Sequence, residues 1–354
     1  MDACKRQSSL CFVPSGELGG VFMATEIESL LEYTLNVGAS ELLITEGAAS
    51  AVRLAGKVCA IPDAPAVEPG TLRNFLGSME GESGTMMGGP WCGSRFRVRY
   101  NRTALGNSAI FRPVLDECPD FSALGAPPTL SNLLGIRSGL VVFAGPACSG
   151  KTTTATAYVS ALCQSGILRV SLLDEGAELP VKRGESLVLE NSSGTIPEKM
   201  EQALRSGIDL IWLGNFEGQS LIPVLRAAEA GALVVLTVTA GNAVGALDAL
   251  LSSETLENRD MARNMLASVL KAVVVQRLLP SSQGVVPAWE ILYGTQNVAS
   301  RIRNGEHFTL PSIIAASSAE GMMLMDDCLA GLVNSGFITQ EDMARYASNP
   351  ARMG

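Results

Sequence analysis

The feature that most constrains this chain is the stretch Gly145-Pro-Ala-Cys-Ser-Gly-Lys-Thr152, which fits the pattern G-x-x-x-x-G-K-[ST]. Apolar residues 140–144 precede it and predict a strand, and residues 153–163 predict a helix. A glycine-rich turn between a strand and a helix directs several backbone N–H groups and the positive end of the helix dipole at one place. The motif therefore predicts an α/β core that binds a polyphosphate.

The motif also assigns roles around the nucleotide. The lysine of such a loop reaches the β- and γ-phosphates and the next hydroxyl binds Mg²⁺, so Lys151 is a candidate catalytic residue and Thr152 the candidate metal ligand. ATP with Mg²⁺ is the expected cofactor pair, with GTP as the alternative. Cys148 is either a small packing residue or a thiol whose pKa a bound anion's helix end would lower. The predicted nucleotide-binding residues are Gly145, Pro146, Ala147, Cys148, Ser149, Gly150, Lys151, Thr152 and Thr153.

Composition argues against several other classes of protein. The 354 residues, 47% of them hydrophobic, supply core for about two domains. With 26 Lys and Arg against 35 Asp and Glu, the net charge of −9 gives no general reason to bind nucleic acid. No apolar run approaches the roughly 18 residues of a membrane span. The eight cysteines include no C-x-x-C pair that would indicate zinc. We therefore expect a cytoplasmic protein with no nucleic-acid partner and no membrane span.

Changes in the spacing of apolar residues divide the chain into four segments. Residues 1–22 lack periodicity and are interpreted as a disordered extension, while 23–114 combine a helix with short alternating strands, which predicts a small α+β domain. Pro-rich residues 115–128 are interpreted as a linker. From 129 to 354, apolar strands alternate with helices, which predicts a mainly parallel sheet covered on both faces, followed by a helical last third that includes residues 260–279.

Acidic residues follow two predicted strands of this core. Asp174, Glu175 and Glu178 come after the strand that follows the loop helix, and each is a candidate for orienting water at the edge where ligands bind. The next apolar strand ends in Asn215, where a terminal acid usually helps to hold the Mg²⁺ shell. An amide can hydrogen-bond a metal-bound water but supplies no negative charge. Glu217 would compensate only if the loop bends back.

Arginines mark a hairpin of the first domain. Arg97, Arg102 and Arg112 either lie on the wet face of an amphipathic hairpin or reach a nucleotide across a subunit boundary, where an arginine supplied in trans stabilises charge on a transferred phosphoryl group.

The order of these motifs resembles one family, the hexameric secretion ATPases of type IV pili and type II secretion, and within it the PilT-like pilus-retraction ATPases of twitching motility. The resemblance spans about residues 25–350. The stretches that carry it are 38–43, 95–98 with Arg102, 111–112, 139–154, 203–205, 228–231, 276–280, 310–313 and 318–322.

The resemblance implies a RecA-like P-loop NTPase core preceded by a small α+β PAS-like domain, in a homo-hexamer with nucleotide at the subunit interfaces. It assigns the catalytic role in the acidic box to Glu178 and an interface role to Arg97, Arg102 and Arg112, without deciding which arginine acts. Asn215 takes the place of the family's Walker-B glutamate, and Thr239 that of its histidine.

The resemblance also implies partners and a location. An inner-membrane platform protein is the expected partner, and the expected location is cytoplasmic and peripheral to the inner membrane. The alternative function is a nucleotide-binding, weakly or non-hydrolysing accessory subunit of an active paralogous ATPase. A RecA-like recombinase is a third possibility, against which the acidic charge counts.

Overall fold

The computed structural model describes residues 26–348, apart from 55–56, 63, 78–82, 104–105, 115–116, 174–178, 191–193, 219 and 282–283. The predicted extension 1–22 and the acidic box at 174–178 lie outside the described residues.

An antiparallel sheet of six strands, in the order β3-β2-β1-β6-β5-β4, forms the first unit. Apolar and basic residues alternate along β5, so the two faces of this sheet differ. Phe96, Val98 and Tyr100 are buried in the cluster that includes helix α1, while the intervening arginines point to the other face. The elements are α1 (Glu26–Asn36), β1 (Glu41–Thr45), β2 (Ala51–Leu54), β3 (Lys57–Ala60), α2 (Thr71–Leu76), β4 (Ser83–Trp91), β5 (Ser94–Thr103) and β6 (Gly106–Val114).

A sheet of seven strands, in the order β13-β12-β7-β11-β10-β8-β9, forms the second unit. Its neighbouring strands pair in parallel except β13, which is antiparallel to β12. The strands are β7 (Gly139–Gly145), β8 (Arg169–Leu172), β9 (Leu187–Glu190), β10 (Leu210–Asn215), β11 (Leu233–Thr239), β12 (Leu270–Ser281) and β13 (Gly284–Tyr293). The helices are α3 (Lys151–Ser165), α4 (Ile196–Arg205), α5 (Ile222–Glu229), α6 (Ala243–Ser252), α7 (Leu256–Val269), α8 (Gln296–Arg303), α9 (Leu310–Ala316), α10 (Met325–Asn334) and α11 (Gln340–Tyr346).

Strand β7 is central and buried along its whole length. Leu140 and Val142 pack into the hydrophobic cluster on one face of the sheet, and Val141 and Phe143 pack into the cluster on the other. A parallel strand covered on both faces needs such a continuous apolar run. The predicted α/β core with a mainly parallel sheet is confirmed.

One predicted element is wrong. Residues 260–279 do not form a single helix, because α7 ends at Val269 and the chain continues as strand β12. Val273, Val274 and Val275 are fully buried between β7 and β13. β-Branched side chains lose little rotamer freedom in a strand, and the sheet buries them on both faces, so tertiary packing overrides the helical pattern.

The segment between the two sheets packs on the core. Cys118 and Phe121 are buried, and the Phe121 ring lies 5.7 Å from that of Tyr158 on α3, centroid to centroid. Short 3-10 turns occupy Phe121–Ala123 and Pro128–Gly135. The part of this segment that the structure describes therefore packs against the second sheet. Within the described ranges, no helix combines the length and apolarity that crossing a bilayer requires.

Candidate nucleotide site

The phosphate-loop motif lies between the end of β7 and the start of α3, as the sequence predicts. Gly145 is required there, because a Cβ on it would stand 2.2 Å from Ser149 Oγ and 2.5 Å from the carbonyl oxygen of Gln276. Cys148 adopts a φ of 61°, which turns the backbone sharply ahead of the helix. The tight turn leaves a concave loop at the N-terminus of a 15-residue helix, a shape and a dipole that suit a phosphate group.

The side chains of the loop complete this cradle. Lys151 Nζ donates to the carbonyl oxygen of Pro146 at 3.3 Å, so the amine lies across the loop where the motif places phosphates. The Ser149 hydroxyl is buried and has no hydrogen-bond partner among the described residues. One turn into the helix, Thr154 Oγ1 donates to the buried Gln276 Oε1 at 2.6 Å, which ties α3 to β12. This hydrogen bond to β12 thus supports the helix that follows the loop.

A cleft of about 640 Å³ opens in front of the loop, and residues from both sheets line it. Seven of the nine predicted nucleotide-binding residues, Ala147 to Thr153, lie on its wall, and so does Asn215. Arg97, Arg99, Arg112 and Lys151 are the four basic residues of the wall as described. Glu217 is the one carboxylate there among the described residues. This excess of positive charge suits a polyphosphate.

The arginine-bearing hairpin forms the far wall. Arg97 and Arg112 are directly opposite each other in the β5–β6 register, and both line the cleft. Arg102 pairs with Asn107 towards the hairpin turn and is not on the wall. Arg99 lies on the wall and was missed in the sequence, although its period-two spacing from Arg97 was a usable signal. Two of the three predicted arginines therefore line the same cleft as the phosphate loop of their own chain, while a role across a subunit boundary stays a prediction.

A charged contact joins the first sheet to the loop. Arg112 Nη2 donates to Glu41 Oε1 at 3.0 Å and to Cys148 Sγ at 2.8 Å. Arg53 Nε donates to the other oxygen of Glu41 at 2.7 Å. Burial would raise the pKa of Glu41, but the hydrogen bonds from Arg53 and Arg112 outweigh it and lower that pKa overall. Glu41 therefore stays ionised and holds Arg112 against the loop.

The thiol of Cys148 is not activated in this arrangement. Burial under the hairpin raises its pKa, and Glu41 adds to that effect, whereas Arg112 opposes it. Although the residue as a whole is exposed, its sulfur is covered by these two side chains. Of the two alternatives for Cys148, the raised pKa favours the small packing residue over the activated thiol.

The end of β10 places two polar side chains in the cleft. Gly214 has a φ of 72°, and the β10–β11 register shifts between Trp212 and Asn215. After this bulge the chain stays paired with β11, because Phe216 N–H donates to the carbonyl oxygen of Thr237 at 2.7 Å. Asn215 and Glu217 both reach the cleft as a result. Glu217 thus lies on the wall of the cleft, while a compensating role for it stays a prediction.

The acidic box cannot be placed in the same way. Residues Asp174 to Glu178 lie outside the described residues, so the catalytic role of Glu178 stays a prediction. Strand β8 ends at Leu172, and Leu179, the first described residue after the box, lines the cleft. Thr239, which stands at the position of the family's histidine, also lies on the wall, at the end of β11.

Comparisons with known proteins agree with this geometry. The model of the family "Type II/IV secretion system protein" matches residues 95–303. The uncharacterized protein YggR of Escherichia coli is 32% identical over 250 residues, which are 69% of this chain and 75% of that protein. The type IV pilus retractation ATPase PilT of Pseudomonas aeruginosa is 27% identical over 92% of this chain and 99% of its own length.

A solved structure shares both the fold and part of the sequence. The pilus retraction motor PilT, solved with bound ADP, superposes with a TM-score of 0.74 at 25% identity, covering 92% of this chain and 98% of its own. Because it covers 92% of this chain, the match includes most of both sheets described above.

Proposed function

Because the chain belongs to the type II/IV secretion system protein family, we propose that it is an ATP-driven motor of a type IV pilus or a related secretion system, of the pilus-retraction kind. The observation that carries this proposal is the cleft itself. It is walled by the phosphate loop on one side and by Arg97, Arg99 and Arg112 of the other sheet on the opposite side. A nucleotide held there would contact both units, so its turnover would move one against the other.

The residues present fit ATP with Mg²⁺. The glycine cradle, the buried Ser149 hydroxyl and the Lys151 amine supply donors for phosphate oxygens. Mg²⁺, when bound, neutralises charge that develops on the phosphates, and the Thr152 hydroxyl would hold it. Lys151 would keep the phosphates in register with the loop, and Arg112 or Arg97 would stabilise negative charge from the far wall. Glu178 is the proposed base that orients the attacking water.

The similarity to PilT supports the proposed surroundings of the motor. A ring of six copies, with nucleotide at the subunit interfaces, is the proposed assembly. A cytoplasmic position peripheral to the inner membrane, against a platform protein, is the proposed location. Light scattering of the purified chain with and without ADP measures the ring directly, and a monomer under both conditions would contradict it.

Asn215 favours a second candidate function. The amide at the end of β10 provides no negative charge in the cleft. Losing one such electrostatic group costs on the order of 10²–10³ in rate at comparable sites. The second candidate is therefore an accessory subunit that binds nucleotide, hydrolyses it slowly or not at all, and works beside an active paralogous ATPase.

Steady-state ATPase measurements separate the two functions. The motor predicts phosphate release well above that of Lys151→Ala and Glu178→Gln proteins under the same conditions. Turnover equal to that of these two variants, with ADP binding retained by the unmodified chain, would favour the accessory subunit. Failure of the unmodified chain to bind either nucleotide would contradict both.

A further inference from the structure

We propose that Glu217 supplies the negatively charged oxygen that Asn215 lacks, and that it acts on the Mg²⁺ that accompanies the nucleotide. This inference rests on the proposed function, since it assigns a residue to the same site. Glu217 lies two positions beyond the end of β10, so it would provide the carboxylate beside Asn215, which stands in the place of the family's Walker-B glutamate.

The backbone at the end of β10 directs Glu217 to the site. The positive φ of Gly214 and the register shift after Trp212 bend the strand, and Thr237 Oγ1 donates to the Gly214 carbonyl oxygen at 3.1 Å, which holds the bend. Phe216 then turns inward and is 2% exposed. Because neighbouring side chains of an extended segment point to opposite sides, burial of Phe216 turns Glu217 outward into the cleft.

The far end of this loop is also anchored. Glu254, itself 6% exposed, accepts hydrogen bonds from the Ser220 hydroxyl and from the N–H groups of Leu221 and Ile222 at the start of α5. The segment that carries Glu217 is thus tied to β11 before it and to the turn between α6 and α7 after it. A carboxylate held between two anchors loses little entropy when it takes up a ligand.

The neighbours of Glu217 place it beside the phosphate loop. Thr239 Oγ1 donates to Glu217 Oε1 at 3.5 Å. Thr239 is paired with Gly145, the first residue of the motif, in the β11–β7 register. Glu217 is therefore one strand away from the start of the loop, on the same wall as Asn215 and Thr152.

Charge in the cleft makes this carboxylate useful. Mg²⁺ takes oxygen ligands and usually keeps several of its waters, which carboxylates and amides bind from outside. Asn215 offers an amide oxygen, and Glu217 offers charge. Groups that bind the waters around a metal typically contribute 10- to 100-fold to metal affinity. The basic residues of the cleft wall repel a metal cation, whereas Glu217, the one carboxylate among the described residues of that wall, attracts it.

Calorimetric titration of ADP into the full chain tests the proposal, once with excess Mg²⁺ and once with EDTA. The quantity of interest is the gain in ADP affinity that Mg²⁺ brings. We expect Glu217→Gln to reduce this gain about 10- to 100-fold through a lower ADP affinity in excess Mg²⁺, while the affinity in EDTA does not fall, because the change removes a negative charge from the cleft. ADP affinity retained in EDTA also shows that the variant is folded. Glu257→Gln, the same change at an exposed position of α7 away from the cleft, is the matched control and keeps the full gain.

A second variant checks that position 215 and position 217 share one role. Asn215→Glu in the Glu217→Gln background returns a carboxylate to the same wall, and we expect it to restore much of the gain. Failure to restore it would overturn the shared role.

The outcomes separate this inference from the proposed function. A Glu217→Gln protein that keeps the full gain in ADP affinity from Mg²⁺ overturns the inference. An unmodified chain whose ADP affinity is the same with and without Mg²⁺ also overturns it, but leaves nucleotide binding intact. An unmodified chain that binds no ADP in either buffer overturns the proposed function, and the inference with it.

Discussion

The hydrogen bond from Thr154 to Gln276 ties the helix that follows the phosphate loop to β12. The loss of folding stability on its removal can be predicted. Both side chains are buried, at 0% and 5% exposure, and the bond measures 2.6 Å. Thr154→Val keeps the shape of the side chain and removes the donor, so the Gln276 oxygen is left buried without that partner. Leaving a buried acceptor unsatisfied costs about 1–3 kcal/mol.

That cost converts into a measurable change in melting temperature. For a unit the size of the second sheet and its helices, a loss of one kcal/mol lowers Tm by about 2–4 °C, so we expect a decrease of roughly 2–12 °C. Thermal unfolding followed by circular dichroism measures it. Because Gln276 also lies against Gly145 and Gly150, we expect ADP affinity to fall as well.

A double-mutant cycle isolates the pair. Gln276→Leu removes the acceptor, and the double variant leaves no unsatisfied partner of this bond, so its loss of stability should be smaller than the sum of the single losses. Additivity of the two changes to within about 0.3 kcal/mol would refute the energetic role assigned to the bond.

Three other predictions follow from buried or covered groups. Glu254→Ala removes the acceptor shared by the N–H groups of Leu221 and Ile222, and we expect urea unfolding to show a loss of about 1–3 kcal/mol, whereas an unchanged midpoint would contradict this. The arginines hold the pKa of Glu41 below its ordinary 4.5, so this carboxylate stabilises the fold above that pH and stops doing so as the pH falls through its lower pKa in the folded protein. We expect Glu41→Gln to flatten this loss of unfolding free energy on the acid side, and an unchanged dependence of stability on pH would argue against the pairing. Since burial raises the pKa of Cys148 from its ordinary 9.0, iodoacetamide should label that thiol slowly at neutral pH and faster only in alkali, and peptide mass spectrometry that finds rapid labelling at pH 7 would contradict the contact with the hairpin.

Sequence pattern was sufficient for the local parts of this protein. The strand, turn and helix around Lys151 are specified by residues next to one another, because an apolar run, a glycine at a close approach and a helix-forming stretch act over a few residues each. The same holds for the alternation on β5 that separates Phe96 and Val98 from the arginines. The nucleotide loop, the α/β class and the basic face of the hairpin were therefore predictable.

Contacts between distant residues decided the rest. Residues 270–281 form a strand because β7 and β13 bury its valines on both faces, which no window of sequence reveals. The bond from Arg112 to Glu41 joins residues 71 apart, and the bend that brings Glu217 beside Thr239 depends on a register shift between β10 and β11. Sequence thus predicted a nucleotide loop and the residues that form it. The tertiary structure determined which charges surround that loop, because pairing register and burial set the direction in which each distant side chain points.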